Sequence, residues 1–187
     1  MSKIIENEKG EIWVGNEKFV TLLSKEKIQA RVKELGEQIS KEYQGKLPIL
    51  IGVLNGSFLF LSDLVKNIDI HIEIDFFKLS SYGDEKITSG EVKLIKELNA
   101  DINERHIIIV EDIVDTGLSI QFIKKILKNH KPASVKIASL LVKPESLKYK
   151  TKIDYIGFEI PNEFVIGYGL DYAQKFRNLN SIYALSE

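Results

Sequence analysis

At 187 residues, 44% hydrophobic and 28% charged, the chain has the composition of one ordinary globular domain, spanning residues 1 to 187, with room for a substantial core. Lys and Arg number 26 against 27 Asp and Glu; this near-neutral balance argues against a dedicated nucleic-acid binder, although a local basic patch stays open. The absence of cysteine excludes disulfides and thiolate metal sites. The run MSKIIENEKGEIWV is too polar for a signal peptide or a membrane span, so a cytoplasmic protein with no membrane partner is expected.

Residues 1 to 15 read as a surface arm or short strand, anchored by Trp13. Ser24 is placed to cap a helix running to about Tyr43, with Ile28, Val32, Leu35 and Ile39 on one apolar stripe. Gly45 and Pro48 end it, and Ile49 to Leu54 form the first buried strand. Asn55, Gly56 and Ser57 then turn tightly into a second helix, expected to bury Phe58, Leu61 and Val65. A strand, a glycine turn and a helix start from Leu54 to Ser57 make a candidate anion site, a weak signal on its own. Ile70, Ile72, Ile74 and Phe76 alternate with His71, Glu73, Asp75 and Phe77, the period of a strand with one face more polar. The polar, glycine-flanked stretch from Ser80 to Gly90 is long for a structureless connection, which leaves a lid or a disordered loop. Val92 to Leu94 reads as a return strand.

The sharpest stretch is IIIVEDIVDTGLS, Ile107 to Ser119. Ile107 to Val110 is a continuous β-branched run, the mark of a strand buried on both faces of a parallel sheet. Glu111 and Asp112 follow at its carboxyl end, where open α/β sheets bind ligands. Asp115, Thr116, Gly117, Leu118 and Ser119 turn into a helix: glycine lets the backbone approach a ligand, and two hydroxyls flank free helix-start amides. That combination suits a phosphate, and two adjacent acids suit sugar hydroxyls or a magnesium ion. No Gly-Lys-Ser/Thr follows the glycine, so a nucleoside-triphosphate loop is a poor fit. The helix should face the sheet with Leu118, Phe122, Ile123, Ile126 and Leu127. Lys131 to Ala133 break it, Val135 to Val142 form another buried strand, and Lys143 sits at that strand's end. Farther on, Asp171 is an acid suited to magnesium, and Arg177 offers a planar fork for an anion. His71, His106 and His130 share no ligand-like spacing.

An aliphatic strand, Glu-Asp, two residues, Asp-Thr-Gly and then Ser at fixed spacing resembles the phosphoribosyl-pyrophosphate signature of the type I phosphoribosyltransferases. From about Val20 to Leu185 the chain resembles the 6-oxopurine branch of that family, specifically the hypoxanthine-guanine enzymes of bacterial type. The resemblance implies an α/β fold: a mostly parallel twisted sheet with helices on both faces, a mobile flap loop at about 80–91, and a small hood from the N-terminal arm and C-terminal segment. It implies a phosphoribosyl transfer from phosphoribosyl pyrophosphate to hypoxanthine or guanine, with Mg2+, by a homodimer or homotetramer.

The site residues implied are these. Glu111 and Asp112 would hold the ribose hydroxyls and, with Asp171, the metal. Asp115 to Ser119 would grip the 5′-phosphate, with Asp115 as general base or proton-sharing partner for the purine. Leu118 stands where relatives often carry a basic residue. Leu54, Asn55 and Gly56 would touch pyrophosphate together with Arg177, often through an unusual cis peptide, and Asn55 stands where lysine is common. Ser81 and Tyr82 would belong to the flap. Lys143 would donate to the exocyclic oxygen of the purine, Phe164 would stack on its ring, and the Val165 backbone and Asp171 would read its edge. The alternatives left open are a transferase preferring xanthine or adenine, and an RNA-binding regulator on the same fold.

Overall fold

A computed structural model describes residues 7, 10–81, 92–96 and 98–186, with backbone alone for 80, 81 and 92–95. The main sheet has six strands. In chain order they are β3 (Ile49–Leu54), β4 (Glu73–Ser81), β5 (Val92–Lys96), β6 (His106–Val114), β7 (Ser134–Val142) and β8 (Tyr155–Glu159). Across the sheet the order is β5-β4-β3-β6-β7-β8, all parallel except the β4/β5 pair. Three helices cover it: α1 (Lys25–Glu42), α2 (Phe58–Lys66) and α3 (Leu118–Leu127).

The alternation of side chains along the strands divides the core in two. Leu50, Ile108, Val110, Ala138 and Leu140 face α1 and α2, which contribute Ile28, Val32, Leu35, Ile39, Phe60, Leu61 and Leu64. Ile49, Ile51, Val53, Ile107, Ile109 and Ile137 face the other way, onto Ile120, Ile123 and Leu127 of α3. A two-sided sheet needs apolar residues at consecutive positions, which is why the β3 and β6 sequences read as unbroken aliphatic runs. Ser24 caps α1 as its sequence suggests, accepting from the amide of Lys27 at 3.4 Å. On the sheet's outer margin, Arg31 of α1 donates to the carbonyls of Ile156 and Gly157 in β8, at 2.7 and 3.1 Å.

A second, smaller sheet is the expected hood. It contains β1 (Glu11–Val14), β2 (Glu17–Leu23), β9 (Val165–Ile166) and β10 (Ile182–Ser186), in the order β1-β2-β10-β9. Ile12, Phe19, Ile166 and Tyr183 form its own small core.

Four expectations are corrected. Trp13 is 61% exposed and anchors nothing among the described residues, since Ile12 carries the inward face of β1. Phe58 is 55% exposed; α2 buries Leu61 as expected, but together with Phe60 and Leu64, and Val65 packs partly buried against the same core. Phe122 of α3 remains partly exposed, while Ile120 is buried. In β4 and just ahead of it, two positions depart from expectation: Ile70, Ile72 and Phe76 pack against the core, but Ile74 is 47% exposed and Asp75 is 5% exposed. Asp75 can point inward because its carboxylate accepts from the amides of Phe76, Asn99 and Ala100 and from Lys96 Nζ, at 2.6–3.0 Å. A buried carboxylate with that many donors is satisfied, and it pins the chain leaving β5 to the sheet.

Candidate active site

The sheet opens at one place. Strand β3 pairs with β6 only from Ile49/Ile107 to Gly52/Val110, whereas β6 stays paired with β7 as far as Val114/Val142. The chain leaves β3 toward β4 on one side, and β6 toward β7 and β8 on the other. The carboxyl ends of β3 and β6 therefore flank the point where strand order reverses, the crevice in which open α/β sheets bind ligands. A cavity of about 340 Å³ lies there, walled by Leu54 and Gly56, by Glu111 to Ile120, and by Val53 and Leu79. One finding refines the sequence reading: Glu111 and Asp112 lie within β6 rather than after it, because the strand continues through Val114.

One wall is the loop into α3. Gly117 has φ +81, a left-handed conformation that glycine adopts without strain, and it occupies the N-cap position. The first helical bond to Gly117 is closed by the Gln121 amide at 3.1 Å, which leaves the earlier amides outside the helical ladder at the cavity wall. Thr116 Oγ1 approaches the Leu118 amide at 3.4 Å, and the Thr116 carbonyl accepts from Lys148 and Tyr149. The loop is thus held from behind while its residues line the cavity. Ser119 and Leu118 line that wall as well. With no acid in the first turn of α3, the positive end of the helix dipole is uncompensated, as an anion site requires.

The opposite wall is the turn from Leu54 to Ser57. The Leu54–Asn55 peptide is cis, as the family resemblance implied. Gly56 is required by a close approach: a Cβ there would lie 1.6 Å from Asp112 Oδ2. Asp112 thus rests on the bare Cα of Gly56, its other oxygen accepting from the Ile113 amide at 3.0 Å. Burial pushes the Asp112 carboxyl up to about 6, with the charge of Arg177 pulling the other way and that of Asp171 adding to the rise. Burial and the neighbouring Asp112 hold Glu111 well above the usual carboxylate range. Both acids are therefore short of positive partners, the condition that a cation would relieve. Among the described residues no group of three acids or histidines forms a ready metal cage. Magnesium is ordinarily held by one or two carboxylates with waters and substrate phosphates, so this donor set fits it without a cage.

Asp115, on the cavity wall, meets Lys143 at the carboxyl end of β7. The Lys143 amide bonds Val114 O at 3.0 Å across β6 and β7, and its side chain is buried, with Nζ 3.8 Å from Asp115 Oδ2. Asp115 is about half exposed, so its carboxylate faces the opening.

The hood contributes the remaining residues, none of which lines the 340 Å³ cavity itself. Phe164 is 46% exposed, its ring edge-on to Tyr172 and Phe19 at centroid distances of 5.6 and 6.3 Å. Val165 is buried in β9. Asp171 accepts from Arg177 at 2.7 Å and from the Gln174 amide at 2.8 Å. Arg177 also donates to Gly169 O and Gln174 Oε1, so its fork is occupied within its own segment. Ser81 ends β4, where only backbone is described, and Tyr82 lies outside the described residues.

Sequence reasoning gave no role to Gly169. Its φ is +100, and a Cβ there would lie 2.1 Å from Gly56 O, so it brings the hood segment against the turn of the other wall. The Gly-Tyr-Gly spacing at 167–169 was the available signal.

Comparison with known proteins agrees with this geometry. A model of the phosphoribosyl transferase domain matches residues 21–173. The hypoxanthine-guanine phosphoribosyltransferase of Bacillus subtilis is 48% identical over 158 residues, covering 84% of this chain and 88% of that protein. The enzyme of the same name from Streptococcus thermophilus is 45% identical over 166 residues, covering 89% and 92%. A crystal structure of a hypoxanthine-guanine phosphoribosyltransferase from Bacillus anthracis superposes with a TM-score of 0.84 at 44% identity, covering 89% of this chain and 98% of that one. The chain belongs to the phosphoribosyl transferase family, and its near relatives there are hypoxanthine-guanine phosphoribosyltransferases.

Proposed function

We propose that the chain, acting as one unit from 1 to 187, transfers the 5-phosphoribosyl group from phosphoribosyl pyrophosphate to hypoxanthine or guanine, yielding IMP or GMP and pyrophosphate. The observation that carries this reading is the crevice between β3 and β6, with a left-handed glycine and a helix start on one wall, two cation-short acids on its floor and a buried lysine beside the Asp115 carboxylate.

The bond between the anomeric carbon and a pyrophosphate oxygen breaks, and the bond to a purine ring nitrogen forms. Positive charge builds on the ribose as negative charge builds on the leaving group. The amides and hydroxyls of Thr116 to Ser119 fix the 5′-phosphate, and Glu111 and Asp112 hold the ribose hydroxyls, so the ring is oriented for attack. Asp115 takes or shares the purine proton, while Lys143 donates to the exocyclic oxygen. Phe164 offers a half-exposed ring for stacking, and the Val165 backbone lies beside it to read the purine edge. Leu54, Asn55 and Gly56 face the pyrophosphate with their backbone. Magnesium, held by Glu111, Asp112 or Asp171 with the substrate's own oxygens, would supply charge stabilisation at the leaving group. Ser81 and Tyr82 are assigned to a flap that keeps water from the reacting carbon. On the same reading the protein works in the cytoplasm as a homodimer or homotetramer.

The test is a panel of hypoxanthine, guanine, xanthine and adenine, each with phosphoribosyl pyrophosphate and magnesium, followed by pyrophosphate release. Turnover of hypoxanthine and guanine that a chelator abolishes supports the reading. Turnover of xanthine or adenine alone reassigns the base, and no turnover with any base removes the reading.

A further inference from the structure

Behind the crevice, where α1 and α2 meet the segment after β9, lies a partly buried polar joint. Tyr168, 4% exposed and at φ +49, points its phenol away from the crevice into the layer between helices. Its Oη donates to Asp63 Oδ2 of α2 at 2.7 Å, and Gln29 Nε2 of α1 donates to that same oxygen at 2.7 Å. The hydrogen bonds from Tyr168, Gln29 and Lys66 outweigh burial and hold the Asp63 carboxyl below its usual range, so the acceptor stays charged. Hydrogen bonds to a charged acceptor are the stronger kind.

What makes this joint more than packing is what each partner is attached to. Asp63 belongs to the helix that the Leu54–Ser57 turn leads into. Tyr168 immediately precedes Gly169, whose Cα presses on Gly56 O and whose amide and carbonyl both bond Arg177, the residue paired with Asp171. We infer that Tyr168 is a positioning residue: its bond to Asp63 sets the distance between the turn at Leu54–Gly56 and the segment bearing Asp171 and Arg177, and so tunes the grip on pyrophosphate. The inference rests on the reading of the crevice as a phosphoribosyl-pyrophosphate site.

Tyr168→Phe removes the hydroxyl and keeps the ring, Asp63→Leu removes the acceptor, and Asp63→Asn keeps an acceptor oxygen. Steady-state kinetics with each substrate varied separately, pyrophosphate product inhibition and thermal unfolding are measured on all of them. The first two variants should raise KM for phosphoribosyl pyrophosphate, and the inhibition constant of pyrophosphate, about 10- to 100-fold, the scale of a misplacement of roughly 1 Å. KM for the purine should stay near wild type. Asp63→Asn should recover most of the loss, and the double variant Tyr168→Phe/Asp63→Leu should be no worse than either single one. Lowered melting temperature with both KM values unchanged, or both raised alike, overturns the inference in favour of simple packing. A wild-type protein inactive with every purine removes the functional reading and this inference together, an outcome distinct from an active enzyme that ignores Tyr168→Phe.

Discussion

The two walls of the crevice are built on opposite principles. The wall from Glu111 to Ser119 is a single run of chain: a strand, a left-handed glycine and a helix start, each specified by its own residues. The side facing it is an assembly, in which the Leu54–Ser57 turn meets Gly169, from a segment more than a hundred positions away that also pairs Asp171 with Arg177. A local wall keeps its geometry for as long as the strand and helix exist. An assembled wall keeps it only while buried contacts such as Gly56 on Asp112 and Tyr168 on Asp63 hold. Substitutions in the first should damage chemistry directly, and those in the second should act through position.

The strongest challenge to that division is Asp115→Asn, which leaves the shape of the local wall intact. Turnover should fall roughly 10²- to 10⁴-fold, the usual contribution of a positioned acid–base group, with little change in melting temperature. Near-normal turnover would move proton handling to another residue. On the assembled wall, Gly56→Ala forces a methyl into the space of Asp112 Oδ2 and should lower kcat/KM about 100-fold, mostly through KM for phosphoribosyl pyrophosphate. If only turnover fell, Gly56 would belong with the chemical residues instead.

Lys143→Ala sharpens the comparison from the purine side. It should cut efficiency with hypoxanthine about 10- to 100-fold more than any residual activity with adenine, whose amino group gives lysine no acceptor. Equal losses for both bases would release Lys143 from that contact. The smallest effect is on stability. Asp112 is held at about 6 when folded, above its ordinary 3.8, so the folded state binds the proton more tightly than the unfolded one. Stability is then lost as pH rises from about 4 to 6, by at most about 3 kcal/mol. Asp112→Asn should make this fall shallower in urea unfolding followed across that pH range, the remainder belonging to Glu111, while weakening substrate binding. A profile identical to wild type would show that the carboxylate is not strained in the free protein.

The same division explains what the sequence revealed. Ile107 to Ser119 was legible because consecutive residues carried the strand, the acids and the turn. The stripe of α1 and its Ser24 cap were legible for the same reason. The inward turn of Asp75 was not, since its partners at Asn99 and Ala100 come from across the β4/β5 connection and alternation alone assigns the carboxylate to solvent. Ile74 was misassigned with it. The roles of Gly169 and Tyr168 also depend on partners far along the chain, and no local period records them. Arg177 was recognised as an anion-binding type, but its engagement with Asp171 and Gly169 is a property of the folded segment.

The position of Arg31 has a consequence beyond the site. Strand β8 is the outermost of the parallel strands, and an open margin of that kind is a template on which a stray strand from another molecule can dock. By donating to the Ile156 and Gly157 carbonyls, Arg31 lays a charged side chain along that margin. A charged side chain held there makes this margin a poorer template for a stray strand than bare backbone would be.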